Sequence, residues 1–370
     1  MLGLKTKEIE NIDKALVITV LAILTLSCAA VYSASYDAQA GVVRGFYERQ
    51  VFWSLMGIAV FVAVSWIGHR RFVKYLPVLY VLGCVTLVFV LLMPPIMGAR
   101  RWIIIAGLRI QPSEFFKFIW VVTMARMFVT FDTDKLGFKD IFMKALPVLP
   151  PFVLIFLQPD LGTAGSFLVI WGMVILFIGI KRLPFWFSVT SFSILIPVMW
   201  TFFLKSYQKQ RVLTFLNPEK DPFGSGYHVI QSKIGIGSGG LWGKGFLDGT
   251  QSHLKFIPER HTDFIFSVVA EETGLVGASI IICVFLFMII RIMSISLECR
   301  EASGKVICVA AASFIFFQFF VNTAMTMGMM PVVGIPMPIF SYGGSSLITF
   351  MAMLGLVNSV AMRKYDQIGV

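Results

Sequence analysis

The chain has 370 residues, 57% of them hydrophobic and only 14% charged. Soluble domains carry about 25% charged residues, so a soluble protein of two or three domains is excluded. The net charge of +11 could suggest a nucleic-acid partner, but in so apolar a chain the first reading is basic loops gathered on one membrane face, with no nucleic acid.

Apolar runs of bilayer-spanning length recur at roughly 15–34, 50–68, 73–93, 113–131, 141–159, 162–180, 184–204, 264–290, 304–326 and 343–362. They predict an all-α polytopic membrane protein with about ten transmembrane helices. The first run is longer than the ~7–15 apolar residues of a signal sequence and follows a flank of mixed charge, so it reads as a span. No internal repeat and no low-complexity tract appears, and residues 1–370 read as one integral membrane domain with a long loop at about 205–263. The five cysteines have no CxxC spacing, which points to neither a disulfide framework nor a zinc site.

An even number of spans puts both termini on one face. The loops of that face carry 17 Lys and Arg, and the short loops of the other face carry 5. The asymmetry predicts cytoplasmic termini. The 205–263 loop then faces outward with eight basic residues, Arg211, Lys233, Lys244 and Arg260 among them. That charge suits an anionic or phosphorylated lipid headgroup, or is simply a solvated loop offset by its four acids.

The unusual composition gathers in the outward loops: "GARRWIIIAGLRIQPSE", "QPDLGTA", "GSGYHVIQSKIGIGSGGLWGKG", "PERHTDF" and "VVGIPMPIFSYGGSS". The inward loops are short, basic and plain, so the chemistry is expected at the outer face. Ser113 and Asp160 stand where helices begin and read as N-caps. Glu114 and Lys117, three residues apart within a span, read either as a buried ion pair or as the lining of a polar cavity. "GIGSGG" fits GxGxxG only formally, having no strand–turn–helix around it, and "GGLWGKG" lacks the Ser or Thr of a P-loop. The loop reads as mobile or as a backbone cradle near a phosphate. "IPMPIFSYGGSS" predicts irregular backbone lining a cavity.

"PERHTDF" places Glu259, Arg260, His261 and Asp263 at the mouth of the eighth span, and Glu271 and Glu272 follow inside it. A carboxylate there is either a cap or a base. Nearby cations would stabilise a phosphate leaving group. A metal site from Glu259, His261 and Asp263 has no specific spacing.

Five motifs in chain order, "QPSE", "QPDLGT", "YQKQRVLTFLNPEKDPFGSGYHVIQSKIGIGSGGLWGKGFLDGTQ", "FIPERHTDFIFSVVAEETG" and "PVVGIPMPIFSYGGSS", resemble the SEDS family (shape, elongation, division and sporulation) over about residues 15–362. Arg260 and "GYHVIQSKI" resemble its RodA branch, which serves elongation. The resemblance implies a peptidoglycan glycosyltransferase that polymerises lipid II at the outer face of the cytoplasmic membrane. It implies work alongside a class B penicillin-binding protein and other elongation-complex membrane proteins, with lipid II and undecaprenyl-pyrophosphate-linked glycan as the molecules bound. It implies Asp263 as the base that deprotonates the acceptor hydroxyl, with inversion. Arg101, Glu114, Lys117, Asp160, Lys233, Lys244, Glu259, Arg260 and His261 fall at positions of the family's cavity and motif loops and are expected to bind substrate. The resemblance allows a divalent cation (Mg or Mn) but supplies no recognisable ligand set. A lipid II flippase or a non-catalytic scaffold for the penicillin-binding protein are the alternatives. Against the first stand the lack of repeats and the outer-face clustering, since transporters bind near the midplane.

Overall fold

The computed structural model describes residues 11–37, 42–43, 45–96, 98–105, 108–129, 135–221, 224–253, 256 and 259–364. Of the charges counted above, Lys5, Lys7, Arg44 and Lys255 lie outside these residues. The helices in chain order are α1 Lys14–Ser35, α2 Phe46–Ile67, α3 His69–Lys74, α4 Leu76–Leu91, α5 Pro112–Met127, α6 Phe138–Ala145, α7 Leu149–Leu157, α8 Leu161–Ile178, α9 Arg182–Val198, α10 Ser206–Leu216, α11 Ser225–Ser238, α12 Thr250–His253, α13 Ile265–Glu298, α14 Ala302–Thr326 and α15 Gly344–Met362. Two short antiparallel ribbons, Tyr36–Asp37 with Val42–Val43 and Ile103–Ile105 with Leu108–Ile110, tie loops between helices.

Eight helical stretches among the described residues are long and apolar enough to cross a membrane, counting α6 with α7 and α9 with its π-helical end at Met199–Phe203 as one each. The expected third and fourth spans fall on α4 and α5, each of 16 residues. That is short of the ~20 residues of an ordinary crossing. Pro94 and Pro95 follow α4 and oppose its continuation. Pro112 opens α5 at a position where its missing N–H costs nothing.

α14 and α15 form the centre. Over their most apolar stretches 83% and 89% of residues are buried, against 6% for Arg182–Phe203 at the periphery. α15 crosses α2 closely because each helix presents a glycine to the other. A Cβ at Gly57 would come within 2.6 Å of Leu347, and one at Gly355 within 2.7 Å of the Phe61 carbonyl. Without water between helices, such close approach is a main source of packing energy in a membrane.

Ionic contacts close one end of the bundle. Asp13 caps α1, its Oδ1 accepting from Leu16 N at 2.8 Å. The same carboxylate accepts from Arg291 of α13 at 2.5 Å. Burial would raise the Asp13 pKa, but the Arg291 and Leu16 hydrogen bonds hold it below the usual range. Glu298 pairs with Lys364. Arg70 donates to Glu301 at 2.9 Å, and His69 bonds Ser359. Residues 13 and 364 thus lie at the same end, hereafter the terminal end.

At the other end the 205–263 segment is organised rather than open. It carries α10 and α11, and its glycine stretch is sewn to α13. α13 is two helices joined at Gly274, whose φ of +67° is left-handed. The break leaves N–H and C=O groups without helical partners. The glycine stretch satisfies them: Leu275 N and Val276 N donate to the Gly240 and Leu241 carbonyls, and Lys244 N and Gly245 N donate to those of Glu271 and Glu272. Only glycine fits this contact, since a Cβ at Gly243 would lie 2.0 Å from the Glu272 carbonyl oxygen. "GIGSGG" thus closes α11, and its last glycines with "GGLWGKG" form the cap of a broken helix. The N–H groups of Lys244 and Gly245 are used by protein carbonyls.

Candidate active site

Asp263 stands in the turn 259–264 that leads into α13. The turn closes on Glu259, whose carbonyl accepts from Thr262 N at 3.1 Å and Phe264 N at 3.4 Å. Glu259 has a φ of +47°, uncommon for a residue with a side chain and held only where the surroundings over-determine it. The surroundings do so at three successive carbonyls. His261 O accepts from Tyr342 N at 2.9 Å, Thr262 O from Ser341 Oγ at 2.7 Å, and Asp263 O from Asn322 Nδ2 at 2.9 Å. The second hydrogen of the Asn322 amide goes to Ile335 O at 2.8 Å. The irregular 331–343 segment thus serves as a brace, and Gly334, at φ +75°, passes so close that a Cβ there would lie 3.3 Å from Asp263 Oδ2.

The half-buried Asp263 carboxyl has its pKa raised to about 6. Loss of hydration is the main cause and the Glu259 carboxylate adds to it, while Arg211 and Arg101 act in the opposite direction. A carboxylate at that value is ionised at neutral pH yet basic enough to accept a proton. Arg211 sits on α10 and donates to Val333 O at 3.3 Å. Arg101 approaches Asp160 Oδ2 at 3.7 Å, and its buried Nε has no partner among the described residues.

Asp160 caps α8, accepting from Thr163 N at 3.2 Å. Its other oxygen accepts from Gln111 Nε2 at 3.0 Å, and Gln111 N donates to Ser345 Oγ at 3.3 Å. One polar chain therefore runs from the start of α15 through the starts of α5 and α8 to Arg101. Glu114 and Lys117 lie below it on α5, 5% and 1% exposed and paired at 2.6 Å. Glu114 Oε2 is buried without a partner among the described residues, so the pair satisfies one oxygen only. The Lys117 ammonium lies 5.7 Å from the centre of the Phe350 ring.

The remaining expected residues are placed differently. Arg260 is buried and donates to Tyr36 O at 2.9 Å, which ties the turn to the end of α1. His261 stacks on Phe46 at 4.2 Å and leans on Tyr342. Glu259 is exposed and accepts from Thr262 Oγ1 at 3.2 Å. Lys233 is exposed on α11 beside Gly328. Lys244 bonds the fully buried Glu271 at 2.8 Å and Thr250 at 2.6 Å, with its carboxylate partner eight positions along the chain from Asp263. Arg101, beside Asp160, acts on the Asp263 carboxyl through its charge; Lys233 and Lys244 make their contacts elsewhere.

Sequence reading passed over Arg211, Gln111 and Asn322. Arg211 was one basic residue of eight in its loop. Gln111 looked like the residue before a cap, and Asn322 lies unannounced within an apolar helix. A buried amide in a membrane helix was the available signal, because such a group is costly without partners. Among the described residues no group of three or more His, Cys, Asp and Glu side chains converges to hold a metal, and no step below is routed through one.

Fold and site together define a polytopic helical membrane protein that holds, at one end of the bundle, a carboxylate of raised pKa under the charge of two arginines. The FtsW/RodA/SpoVE family model, described as "Cell cycle protein", matches residues 14–366, and the chain belongs to that family. It is 40% identical over 352 residues to the peptidoglycan glycosyltransferase MrdB of Escherichia coli K12, across 95% of this chain and 93% of that protein. It is 30% identical to the peptidoglycan glycosyltransferase RodA of Treponema pallidum, across 98% and 100%. Among solved structures, a chain from work on the coordination of polymerization and crosslinking by a peptidoglycan synthase complex matches with a TM-score of 0.81 at 30% identity, covering 96% of this chain and 99% of that one. The rod shape determining protein RodA of Thermus thermophilus matches at 0.71 and 28% identity, covering 96% and 98%.

Proposed function

We propose that this chain is a peptidoglycan glycosyltransferase that polymerises lipid II during cell elongation, with Asp263 as general base. The observation that carries the reading is the Asp263 carboxylate at the mouth of α13, its turn braced by Asn322, Ser341 and Tyr342 and its charge opposed by Arg101 and Arg211. The acceptor 4-hydroxyl oxygen attacks the anomeric carbon of the donor sugar as its proton passes to Asp263. The bond from that carbon to the pyrophosphate oxygen breaks, and undecaprenyl pyrophosphate leaves with the electron pair. Pyrophosphate is a good leaving group, so one base and flanking cations suffice, without the second carboxylic acid that glycosidases use. Attack from the face opposite the leaving group inverts the sugar.

The Lys and Arg distribution supports cytoplasmic termini, with the Asp263 end facing outward from the cytoplasmic membrane. The likeness to a chain of a peptidoglycan synthase complex supports a crosslinking partner, a class B penicillin-binding protein. Arg260 and His261 hold the Asp263 turn in place. Arg101 and Arg211 would meet the headgroup phosphates, with the buried Glu114–Lys117 pair behind them. The test is purified protein in liposomes with labelled lipid II and the partner. Glycan ladders are expected, whereas transfer of lipid II between leaflets without ladders would make the protein a transporter.

A further inference from the structure

α1 and α13 are pinned to each other at two levels. At the terminal end Asp13 binds Arg291, and toward the other end Ser33 donates to Glu272. The two pins are 20 residues apart along α1 and 19 along α13. At ~1.5 Å per residue that is about 30 Å, the thickness of a bilayer's hydrocarbon core. The Ser33–Glu272 level therefore marks the membrane boundary at the Asp263 end. Two tyrosines meet there, Tyr32 and Tyr47 at 5.1 Å, as in the aromatic belts of membrane proteins.

The glycine stretch docks at this same level, against residues 271–276 of α13. Lys244 turns inward to Glu271, while the apolar side chains of the stretch are exposed. Trp242 is 80% exposed, Leu241 62% and Phe246 53%, and Phe246 stacks on Tyr32 at 6.3 Å. They continue the apolar surface that α13 presents below the break, where Leu275 and Ile280 are exposed. Non-helical backbone is tolerated at membrane depth only when its polar groups are satisfied. Here the Gly240 and Leu241 carbonyls and the Gly243, Lys244 and Gly245 N–H groups are all bonded within the protein. The Lys244 charge is answered by Glu271.

We propose that residues 241–246 are an interfacial membrane anchor, with Leu241, Trp242 and Phe246 seated in the lipid interface at the Asp263 end. The occupant of this surface is the lipid itself, because the patch is continuous with the lipid-facing side of α13 and lies at the boundary set by the two pins. The anchor fixes the height of the loop that leads through Thr250 to the Asp263 turn.

The test compares full-length wild type with Trp242→Phe, an exposed and mild change, in nanodiscs of phosphatidylcholine and phosphatidylglycerol. Trp242 is one of eight tryptophans, and its emission is the difference between the two proteins. Replacing the lipid by one brominated high on the acyl chain should remove most of that difference, and aqueous acrylamide should leave it. Quenching by acrylamide and not by bromine would place Trp242 in water and overturn the proposal. Quenching by neither would show the patch covered by protein and would overturn it equally.

Discussion

Asn322 donates both hydrogens of one amide nitrogen, to the main-chain carbonyl of Asp263 at 2.9 Å and to that of Ile335 at 2.8 Å. The residue is fully buried on α14, one of the two central helices. It therefore joins the reactive turn to the rigid middle of the bundle. Asn322→Ala strands two buried carbonyls, a cost of about 1–3 kcal/mol each. A displacement near 1 Å at a reacting group can cost about 100-fold in rate. The expected result is a kcat lower by about 10–100-fold with a nearly unchanged KM for lipid II. Steady-state polymerisation by folded variant checks it, and a loss confined to KM would speak against a positioning role.

The raised pKa of Asp263 sets a pH profile. Polymerisation should fall as pH drops below about 6, because the base becomes protonated. The linked effect on stability has the opposite sense. A carboxyl whose pKa is higher folded than unfolded favours the fold when protonated, and that contribution is lost as pH rises from about 4 through about 6. Asp263→Asn should therefore melt higher than wild type at pH 7.5, by no more than about 3 kcal/mol at 1.4 kcal/mol per unit. The gap should close toward pH 4. Thermal unfolding in detergent across that range measures it.

The charges around Asp263 should move the acid limb in opposite directions. Arg211 and Arg101 hold the pKa down and Glu259 pushes it up. Arg211→Gln should shift the limb to higher pH, and Glu259→Gln to lower pH. Rate profiles of the two variants check the pair. Two shifts of the same sign would show that these side chains do not act on the carboxylate.

Glu114 and Lys117 are buried together, so removing one partner leaves an uncompensated charge. Lys117→Met should destabilise by about 3–5 kcal/mol, and the double variant Glu114→Gln, Lys117→Met by less. The unpartnered Glu114 Oε2 gives the pair a second expected trait. The folded double variant should polymerise slower by about tenfold or more, as when a charge-stabilising group is lost. Full activity in the double variant would make the pair purely structural.

Periodicity and composition made the helices legible, because a bilayer demands long apolar runs. The motif loops lie together at the end of the bundle opposite the Asp13–Arg291 contact. Asp160 and Asp263 were visible as carboxylates at helix starts, whereas Arg101 was expected only from the family resemblance, and the structure sets it beside Asp160. The roles within "PERHTDF" were less visible. Arg260 and His261 were expected among the substrate-binding residues, and the structure shows one bonding the Tyr36 carbonyl and the other stacking on Phe46. A local motif does not reveal which distant backbone it will brace. The break at Gly274 was hidden for a related reason. "EETGLVG" reads as continuous helix, and only the docked carbonyls of Gly240 and Leu241 make a second helix start there. Arg211 and Asn322 owe their place to long-range packing, which a single sequence does not encode in any local pattern.

The most direct test of the account is lipid II polymerisation by wild type beside folded Asp263→Asn, with the penicillin-binding partner present and the product read as glycan ladders. The substitution keeps the shape of the side chain and removes the base. Ladders from wild type and none from the variant are predicted. Ladders of ordinary length from the variant would contradict Asp263 as the general base.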